Sequence, residues 1–160
     1  MSMIKILVMD VDGTLTDGVI AISQTGELFK NFNVKDGYGI HTILPKLGIT
    51  PIIITGRSSE IVKNRFSDLG VTEIYQGVSD KLPFLKQLLE KKQVNPSEVA
   101  YIGDDLNDLE CIQYVGTSAC PYDSVEKVKA SVDYVCRSNG GFGAVREFID
   151  YLTGSCPIRS

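Results

Sequence analysis

A short apolar run at residues 4–9 ends abruptly in the acids Asp10 and Asp12, with Gly13 and Thr14 behind them. A buried strand that ends in two carboxylates one residue apart needs something to offset their repulsion. Hard divalent cations such as Mg²⁺ do this, because they bind one or two carboxylates together with water and phosphate oxygens. Open α/β sheets place their sites at the carboxyl ends of strands. The pattern therefore predicts phosphate chemistry at the end of a first, buried strand.

The composition narrows the class of protein. A chain of 160 residues with 43% hydrophobic and 22% charged residues is typical of one globular domain. The net charge of −4 and the lack of a basic stripe argue against a nucleic-acid partner. No apolar stretch approaches the ~20 residues of a membrane span, and Asp10 and Asp12 interrupt the region where a signal peptide would be apolar. We expect a soluble protein of the cytoplasm.

The cysteines and the single histidine exclude other chemistries. The 4 cysteines show no Cys-x-x-Cys spacing, and His41 is the 1 histidine of the chain. A Cys/His zinc site and a Ser-His-Asp or Cys-His mechanism are therefore disfavoured. We expect the cysteines to be reduced and structural.

Short apolar strands alternate with helical patterns along the rest of the chain. Strands are predicted at residues 4–9, 51–55, 72–75, 99–102, 117–120 and 133–136, and helices at 36–48, 58–69, 82–92, 106–114, 125–130 and 144–152. Residues 18–32 differ, because alternation around a Thr-Gly turn predicts a β-hairpin. The order predicts an α/β fold: a Rossmann-like, doubly wound parallel sheet with a hairpin inserted after the first strand. We expect one domain at residues 1–153 and a flexible tail at 154–160.

Polar residues follow four of the predicted strands, and parallel strands share one carboxyl edge. In chain order these residues are Asp10 and Asp12, then Thr55, Gly56 and Arg57, then Lys81, and finally Asp104, Asp105 and Asp108. Phosphoryl transfer needs such a set: a nucleophile, a metal ion that neutralises the phosphoryl oxygens, and donors around them. Other interpretations stay open, since Asp12 also suits a turn and Asp104 and Asp105 suit helix caps. Lys81 also suits a solvated helix start.

With these motifs in this order, the chain resembles the phosphatases of the haloacid dehalogenase superfamily. The Asp-x-Asp-Gly-Thr start, the threonine after the second strand, the isolated lysine and the Gly-Asp-Asp-x-x-Asp ending carry the resemblance, which covers nearly all of the chain. It implies that Asp10 is the nucleophile, which forms a phosphoaspartate. It also implies that Asp12 protonates the leaving oxygen and then activates water. Mg²⁺ would be held by the Asp10 carboxylate, the backbone carbonyl of Asp12 and the Asp104 carboxylate.

The same resemblance implies roles for the remaining polar residues. Thr55 would bind a phosphoryl oxygen, and Lys81 would neutralise Asp10 and the phosphate. Asp105 and Asp108 would orient the water ligands of the metal or orient Lys81.

Finer motifs place the chain within the superfamily. Most relatives carry a cap domain, and no segment here is long enough to form one. The hairpin after Asp17-Gly18 and the motifs at residues 32–40, 55–59 and 140–147 resemble the 3-deoxy-D-manno-octulosonate 8-phosphate phosphatases. This implies a Mg²⁺-dependent phosphomonoesterase of that sugar acid. It also implies a homotetramer in which the hairpins form a central barrel and a neighbouring subunit completes each site. A lone hairpin with alternating apolar residues is marginal and independently favours a partner.

The carboxylate of a sugar-acid substrate requires a cation. Gly56, Arg57 and Arg65 are the candidates for substrate binding, with Lys35 a weaker one, although Arg65 equally fits a solvated helix face. Three alternative functions stay open: a phosphatase of nine-carbon sialic acid or deaminated 9-phosphates, a phosphatase of other small metabolites or phosphoproteins, and a non-catalytic tetramerisation module like that of some sialic acid cytidylyltransferases. The complete set of polar residues argues against the non-catalytic module.

Overall fold

Six short parallel strands form the central sheet of the computed structural model, which describes residues 3–155. The strands of the described chain are β1 (Ile6–Met9), β2 (Ala21–Ser23), β3 (Gly26–Phe29), β4 (Thr50–Ile54), β5 (Glu73–Tyr75), β6 (Val99–Ile102), β7 (Thr117–Cys120) and β8 (Tyr134–Val135). The order within the sheet is β5-β4-β1-β6-β7-β8, and β2 and β3 form a separate antiparallel hairpin. The first strand therefore lies at the centre of the sheet, paired with β4 on one side and with β6 on the other.

Helices join the strands of the sheet. They are α1 (Val34–Tyr38), a π-helical segment (Gly39–Ile43), α2 (Leu44–Lys46), α3 (Glu60–Asp68), α4 (Lys81–Lys92), α5 (Leu109–Tyr114), α6 (Glu126–Lys129) and α7 (Ala144–Leu152), with 3₁₀ turns at Pro96–Glu98 and Leu106–Asp108. The predicted Rossmann-like sheet with a hairpin after the first strand is confirmed. Within residues 3–155 the hairpin is the one insertion after β1, and no cap domain interrupts the fold.

Two apolar layers sandwich the sheet. Every residue of β1 is buried, and successive side chains point to opposite faces of a strand. Leu7 packs in a cluster with Phe148 of α7, whereas Val8 packs on the other face with Leu85 of α4. Full burial of each such side chain stabilises the fold by roughly 1.5–3 kcal/mol. The sheet is thus a rigid base for whatever lies at its carboxyl edge.

The helix predicted at residues 36–48 forms, with an irregularity that the sequence analysis did not predict. It runs from Val34 to Lys46 as three consecutive segments, the middle one π-helical. Pro45 has no N–H to donate to the carbonyl of His41, and its ring crowds that carbonyl. A π segment relieves the crowding by widening the helix. Gly48 ends the helix as predicted, with φ +70° and its N–H donated to the carbonyl of Pro45.

Cys111 and Cys120 are buried free thiols, as expected for structural cysteines, and Cys136 is also buried, whereas Cys156 lies outside the described residues. No helix among residues 3–155 is long and apolar enough to cross a bilayer. The predicted tail at residues 154–160 falls mostly outside the described residues, which end at residue 155.

Candidate active site

The carboxyl ends of β1, β4 and β6 surround a cavity of about 190 Å³. Because the three strands are parallel neighbours, the residues that follow them meet at one edge of the sheet. The cavity is lined by Asp10, Asp12, Thr55, Gly56, Arg57, Asp104, Asp105 and Asn107. The structure therefore brings together most of the residues that the sequence predicts for a site.

Two carboxylates that line this cavity lie close to a third that is fully buried. Asp10, Asp104 and Asp108 offer oxygens that all lie within 4.8 Å of one another. Burial and the neighbouring Asp108 raise the pKa of Asp10 to about 6, although Lys81 opposes the rise. Burial and the neighbouring Asp10 raise the pKa of Asp104 to about 9. The acids repel one another strongly enough that the site favours an additional positive charge.

The ammonium group of Lys81 supplies one positive charge to these acids. It is the first residue of α4, and its side chain is 1% exposed. Its Nζ lies 2.9 Å from Asp10 Oδ1 and 2.8 Å from Asp108 Oδ1. Burial alone would lower the pKa of Lys81, but the two carboxylates raise it above its ordinary value. Lys81 therefore stays charged between the two acids.

Asp108 is fully buried and accepts hydrogen bonds at both oxygens. Its Oδ1 accepts from Lys81 and, at 2.5 Å, from the hydroxyl of Tyr101. Its Oδ2 accepts from the backbone N–H groups of Asp104 at 3.0 Å and Asp105 at 3.3 Å. A Cβ on Gly103 would lie 2.3 Å from Asp108 Cγ, so only glycine leaves room for this carboxylate. Asp108 thus ties Lys81 to the turn that carries Asp104.

The turn after β1 is built around a second close approach. Gly13 has φ +85°, and a Cβ there would lie 2.1 Å from Asp104 Oδ2. The hydroxyl of Thr14 donates to Asp104 Oδ1 at 3.2 Å. Glycine is required here both by the left-handed backbone and by the carboxylate beside it. The Gly-Thr pair of the motif therefore locates Asp104 against β1.

Two glycines of the loop at residues 138–143 press on the same turn. A Cβ on Gly140 would lie 1.9 Å from the carbonyl oxygen of Gly13, and one on Gly141 would lie 2.4 Å from the backbone nitrogen of Asp17. The N–H of Gly141 donates to the carbonyl of Thr14 at 3.3 Å. This backbone-to-backbone contact fixes the turn that follows Asp10 and Asp12.

Two residues of the hairpin region that were not predicted from the sequence, Lys30 and Glu27, contact residues that line the cavity. Lys30 Nζ lies 2.5 Å from Asp12 Oδ1 and 3.0 Å from Glu27 Oε2. Glu27 in turn accepts a hydrogen bond from the hydroxyl of Ser59 at 2.6 Å. A glutamate and a lysine three residues apart in an otherwise uncharged hairpin are a weak signal, because the pairing depends on where the hairpin folds.

Arg57 lies at the mouth of the cavity. Its side chain is 54% exposed, and its guanidinium approaches Asp12 and Glu27 at 3.9 Å. Thr55 is buried at the end of β4 and donates its N–H to the carbonyl of Tyr75. Asp105 has a more local contact, because its Oδ1 accepts from the N–H of Leu106 at 2.7 Å in the manner of a helix cap.

The structure does not bring Lys35 and Arg65 to this cavity. Lys35 lines a separate cavity of about 250 Å³ beside α7. Arg65 lies over Phe32, with its Cζ 5.9 Å from the ring centroid, and a Cβ on Gly37 would meet its Nη2 at 2.6 Å. Arg65 lies one turn before the far end of α3, so the helix carries it away from the sheet edge where Arg57 lies. Within one chain, the predicted contact of these two cations with a substrate at Asp10 is not formed.

The sequence and the fold are similar to those of known proteins. The haloacid dehalogenase-like hydrolase family matches residues 54–149. Among curated proteins, the chain is 46% identical over 149 residues to the 3-deoxy-D-manno-octulosonate 8-phosphate phosphatase KdsC of Escherichia coli K12, which covers 93% of this chain and 79% of that protein.

Solved structures agree with the sequence comparison. The phosphatase of the same name from Moraxella catarrhalis, solved with a magnesium ion, a phosphate ion and KDO, has a TM-score of 0.90 and 41% identity over 95% of this chain and 87% of that chain. The cobalt-bound deoxy-D-mannose-octulosonate 8-phosphate phosphatase from Haemophilus influenzae has a TM-score of 0.90 and 38% identity over 95% of this chain and 88% of that one.

Proposed function

The chain belongs to the haloacid dehalogenase-like hydrolases, and on that premise we propose that it is a Mg²⁺-dependent phosphatase of 3-deoxy-D-manno-octulosonate 8-phosphate. The observation that carries the proposal is the lysine-bridged pair of Asp10 and Asp108 beside Asp104 at the sheet edge. The substrate is supported by the 46% identical phosphatase and by the magnesium, phosphate and KDO complex of the similar Moraxella enzyme.

A divalent cation fits the residues present. Asp108 is occupied by Lys81 and Tyr101, which leaves the carboxylates of Asp10 and Asp104 for a metal. Burial and Asp108 raise the pKa of Asp10, and burial and Asp10 raise the pKa of Asp104. A cation bound between these two acids opposes both shifts. We assign Mg²⁺ to these two carboxylates and to the backbone carbonyl of Asp12. When bound, it neutralises charge on the phosphoryl oxygens.

Asp10 is the nucleophile in the proposed reaction. Its carboxylate oxygen forms a bond to phosphorus while the bond from phosphorus to the sugar oxygen breaks. Asp12 gives its proton to that departing oxygen. In the second half-reaction Asp12 takes a proton from water, whose oxygen bonds to phosphorus as the acyl phosphate bond breaks. Asp10 and phosphate are released, and the proton count is restored.

The neighbouring residues hold these groups in place. Lys81 keeps the Asp10 carboxylate oriented and offsets the charge of the arriving phosphate. Asp108 positions Lys81, and Thr55 donates a hydrogen bond to a phosphoryl oxygen from the end of β4. Asp105 holds the turn that carries the metal-binding Asp104. Groups fixed in this way before the substrate arrives need no reorganisation during the reaction.

Arg57 is our candidate for the carboxylate of the sugar acid. It is exposed at the mouth of the cavity, and its guanidinium can bind a carboxylate through two parallel hydrogen bonds. Gly56 beside it lines the cavity without a side chain. Lys35 and Arg65 lie away from this cavity, so we propose them for substrate binding only at the cavity of a neighbouring subunit.

We propose a homotetramer assembled through the hairpin. Four apolar side chains of the hairpin region are strongly exposed, namely Val19 at 62%, Ile22 at 65%, Leu28 at 58% and Phe29 at 53%. Large apolar side chains exposed together on one element are typical of an interaction site, and a two-stranded hairpin is marginal alone. Sedimentation equilibrium should give four times the 17.5 kDa chain mass, and Leu28→Lys should lower it. A monomeric wild-type protein would contradict the proposal.

We also propose a cytoplasmic location. Cys111 and Cys120 are buried free thiols, the state that a reducing compartment maintains.

Phosphate release with Mg²⁺ tests the proposed activity. The substrates are 3-deoxy-D-manno-octulosonate 8-phosphate, a nine-carbon ulosonic acid 9-phosphate and p-nitrophenyl phosphate. We expect the highest kcat/KM on the eight-carbon substrate, loss of all activity in Asp10→Asn, and full activity in Glu90→Gln, which removes an exposed acid of α4. Preference for the nine-carbon substrate, or turnover of the aryl ester alone, would refute the substrate but keep the nucleophile. Activity in Asp10→Asn would refute the mechanism.

A further inference from the structure

Lys30 is a buried cation that the proposed reaction does not yet use. It follows β3 at the base of the hairpin, and its side chain is 2% exposed. Its Nζ bridges Asp12 Oδ1 at 2.5 Å and Glu27 Oε2 at 3.0 Å. Removing an ammonium from water is costly unless it is paired. The two acids offset that cost and hold Lys30 in one position.

Glu27 is fixed from the other side by α3. Ser59 is the N-cap residue of α3, yet its hydroxyl does not cap the helix and donates instead to Glu27 Oε1 at 2.6 Å. Gln76, just after β5, holds the backbone of Ser59 through two hydrogen bonds of 2.8 and 3.1 Å. A continuous set of contacts thus connects the edge of the sheet to Lys30.

This set determines which oxygen of Asp12 is available. Lys30 occupies Oδ1, whereas Oδ2 has Arg57 Nε at 3.9 Å, beyond hydrogen-bond distance. Asp12 and Arg57 both line the cavity. The Asp12 carboxylate is therefore held at Oδ1, and its Oδ2 faces the cavity beside Arg57, the residue that we propose binds the substrate carboxylate.

We infer that Lys30 is a positioning residue for the acid–base work of Asp12, and that the hairpin is thereby part of the catalytic apparatus. The inference rests on the proposed function, in which Asp12 protonates the departing oxygen. Lys30 keeps its own proton throughout and holds Oδ1, while the proton is given and taken at Oδ2. Glu27 and Ser59 hold Lys30.

Phosphate esters whose leaving groups depend to different extents on protonation distinguish a role of Lys30 in acid–base catalysis from a role in stabilising the fold. The experiment measures kcat/KM of wild type, Lys30→Met and Glu27→Gln on p-nitrophenyl phosphate, phenyl phosphate and 3-deoxy-D-manno-octulosonate 8-phosphate. Since a misplaced general acid costs about 10²-fold when the leaving group is poor, we expect Lys30→Met to lose about 100-fold on the sugar phosphate. We expect a loss below about 5-fold on the nitrophenyl ester, with the phenyl ester between.

Two further variants sharpen the comparison. Glu27→Gln should lose less than Lys30→Met in the same order of substrates, and Lys30→Arg should recover part of the activity on the sugar phosphate. Lys92→Met is the matched control, because Lys92 makes a 2.8 Å ion pair with Glu73 away from the cavity. It should keep the wild-type kcat/KM on all three esters.

The outcomes are distinguishable. Equal losses on all three esters, or no loss in Lys30→Met and Glu27→Gln, overturn the role of Lys30, because damage to the fold does not depend on the leaving group. A wild-type enzyme that hydrolyses only the aryl esters refutes the proposed substrate, and the two aryl esters still decide the role of Lys30. A wild-type enzyme inactive on all three refutes both the proposed function and this inference.

Discussion

Replacing Asp108 by asparagine should destabilise the protein strongly even without metal. The carboxylate accepts from Lys81 and Tyr101 at Oδ1 and from two backbone N–H groups at Oδ2. An asparagine has one accepting oxygen, so its amide group must face two donors in either orientation. Lys81, at 1% exposure, loses one of its two counter-charges.

The expected loss in the free energy of unfolding follows from these contacts. Hydrogen bonds to a charged group are worth about 1.5–3 kcal/mol each, and removing one partner of a buried ion pair costs about 3–5 kcal/mol. Because Asp10 still faces Lys81, we expect Asp108→Asn to lower the free energy of unfolding by about 3–4 kcal/mol. That is a large part of the ~5–15 kcal/mol typical of a domain.

Urea unfolding in the presence of a chelator measures this loss without any contribution from bound metal. Tyr101→Phe removes one donor and leaves the acid, so it should cost about 1.5–3 kcal/mol, and Asp108→Asn should cost less in that background than in wild type. Glu126→Gln is the control, since Glu126 is 93% exposed and 3.8 Å from Lys129. Asp108→Asn with wild-type stability, or with additive costs in the double variant, would refute the reasoning.

Two further predictions concern the packing around α7 and the turn after β1. Burial raises the pKa of Asp36 to about 6, and its Oδ2 has no hydrogen-bond partner among the described residues. The pKa of Asp36 in the folded protein therefore lies above the ordinary 3.8, so ionisation of this carboxyl destabilises the fold. The wild type has its full free energy of unfolding below about pH 4 and loses part of it as the pH rises through 6. At pH 7 the free energy of unfolding of Asp36→Asn should exceed that of wild type by up to about 3 kcal/mol. Chemical unfolding should show this difference disappearing at pH 4, and a difference that does not change with pH would contradict the raised pKa of Asp36. Gly140→Ala places a Cβ 1.9 Å from the carbonyl oxygen of Gly13, so it should cost about 3 kcal/mol and most of kcat, as thermal unfolding and phosphate release would show. Gly48→Ala, with φ +70° and nothing within 4 Å, should cost about 1 kcal/mol and leave kcat intact, and equal kcat losses in the two variants would argue against a specific contact.

The centre of the site could be predicted from the sequence because its residues directly follow the ends of strands. Asp10 follows β1, Thr55 follows β4 and Asp104 follows β6, and parallel neighbours place such residues at one edge. The order of elements alone then specifies that they meet. The glycines at 13 and 103 could be anticipated as turn residues, but their role in making room for carboxylates appears only in three dimensions.

The rest of the site depends on how separate elements turn against one another. Lys30 reaches Asp12 only because the hairpin folds back on the cavity, and no local pattern specifies that angle. Arg65 could be placed on a helix, but the rotation and direction of α3 decide that it lies over Phe32 and not beside Arg57. The π-helical segment before Pro45 could not be predicted either, since apolar residues at helical spacing do not distinguish a π-helical turn from a regular one. Short-range periodicity thus predicts elements, and tertiary contacts decide which side chains meet.

The central place of β1 has a consequence for the birth of the protein on the ribosome. Met9 pairs with Ile53 and Ile102, so the strand made first acquires its second neighbour only after about 90 further residues. At roughly 5–20 residues per second, that interval is roughly 5–20 s. Throughout it, an apolar segment that belongs in the middle of a sheet has an unpaired edge exposed to other nascent chains. Slower translation of the middle of the message lengthens this exposure, and pairing of the first strand with another chain during that time lowers the yield of folded protein.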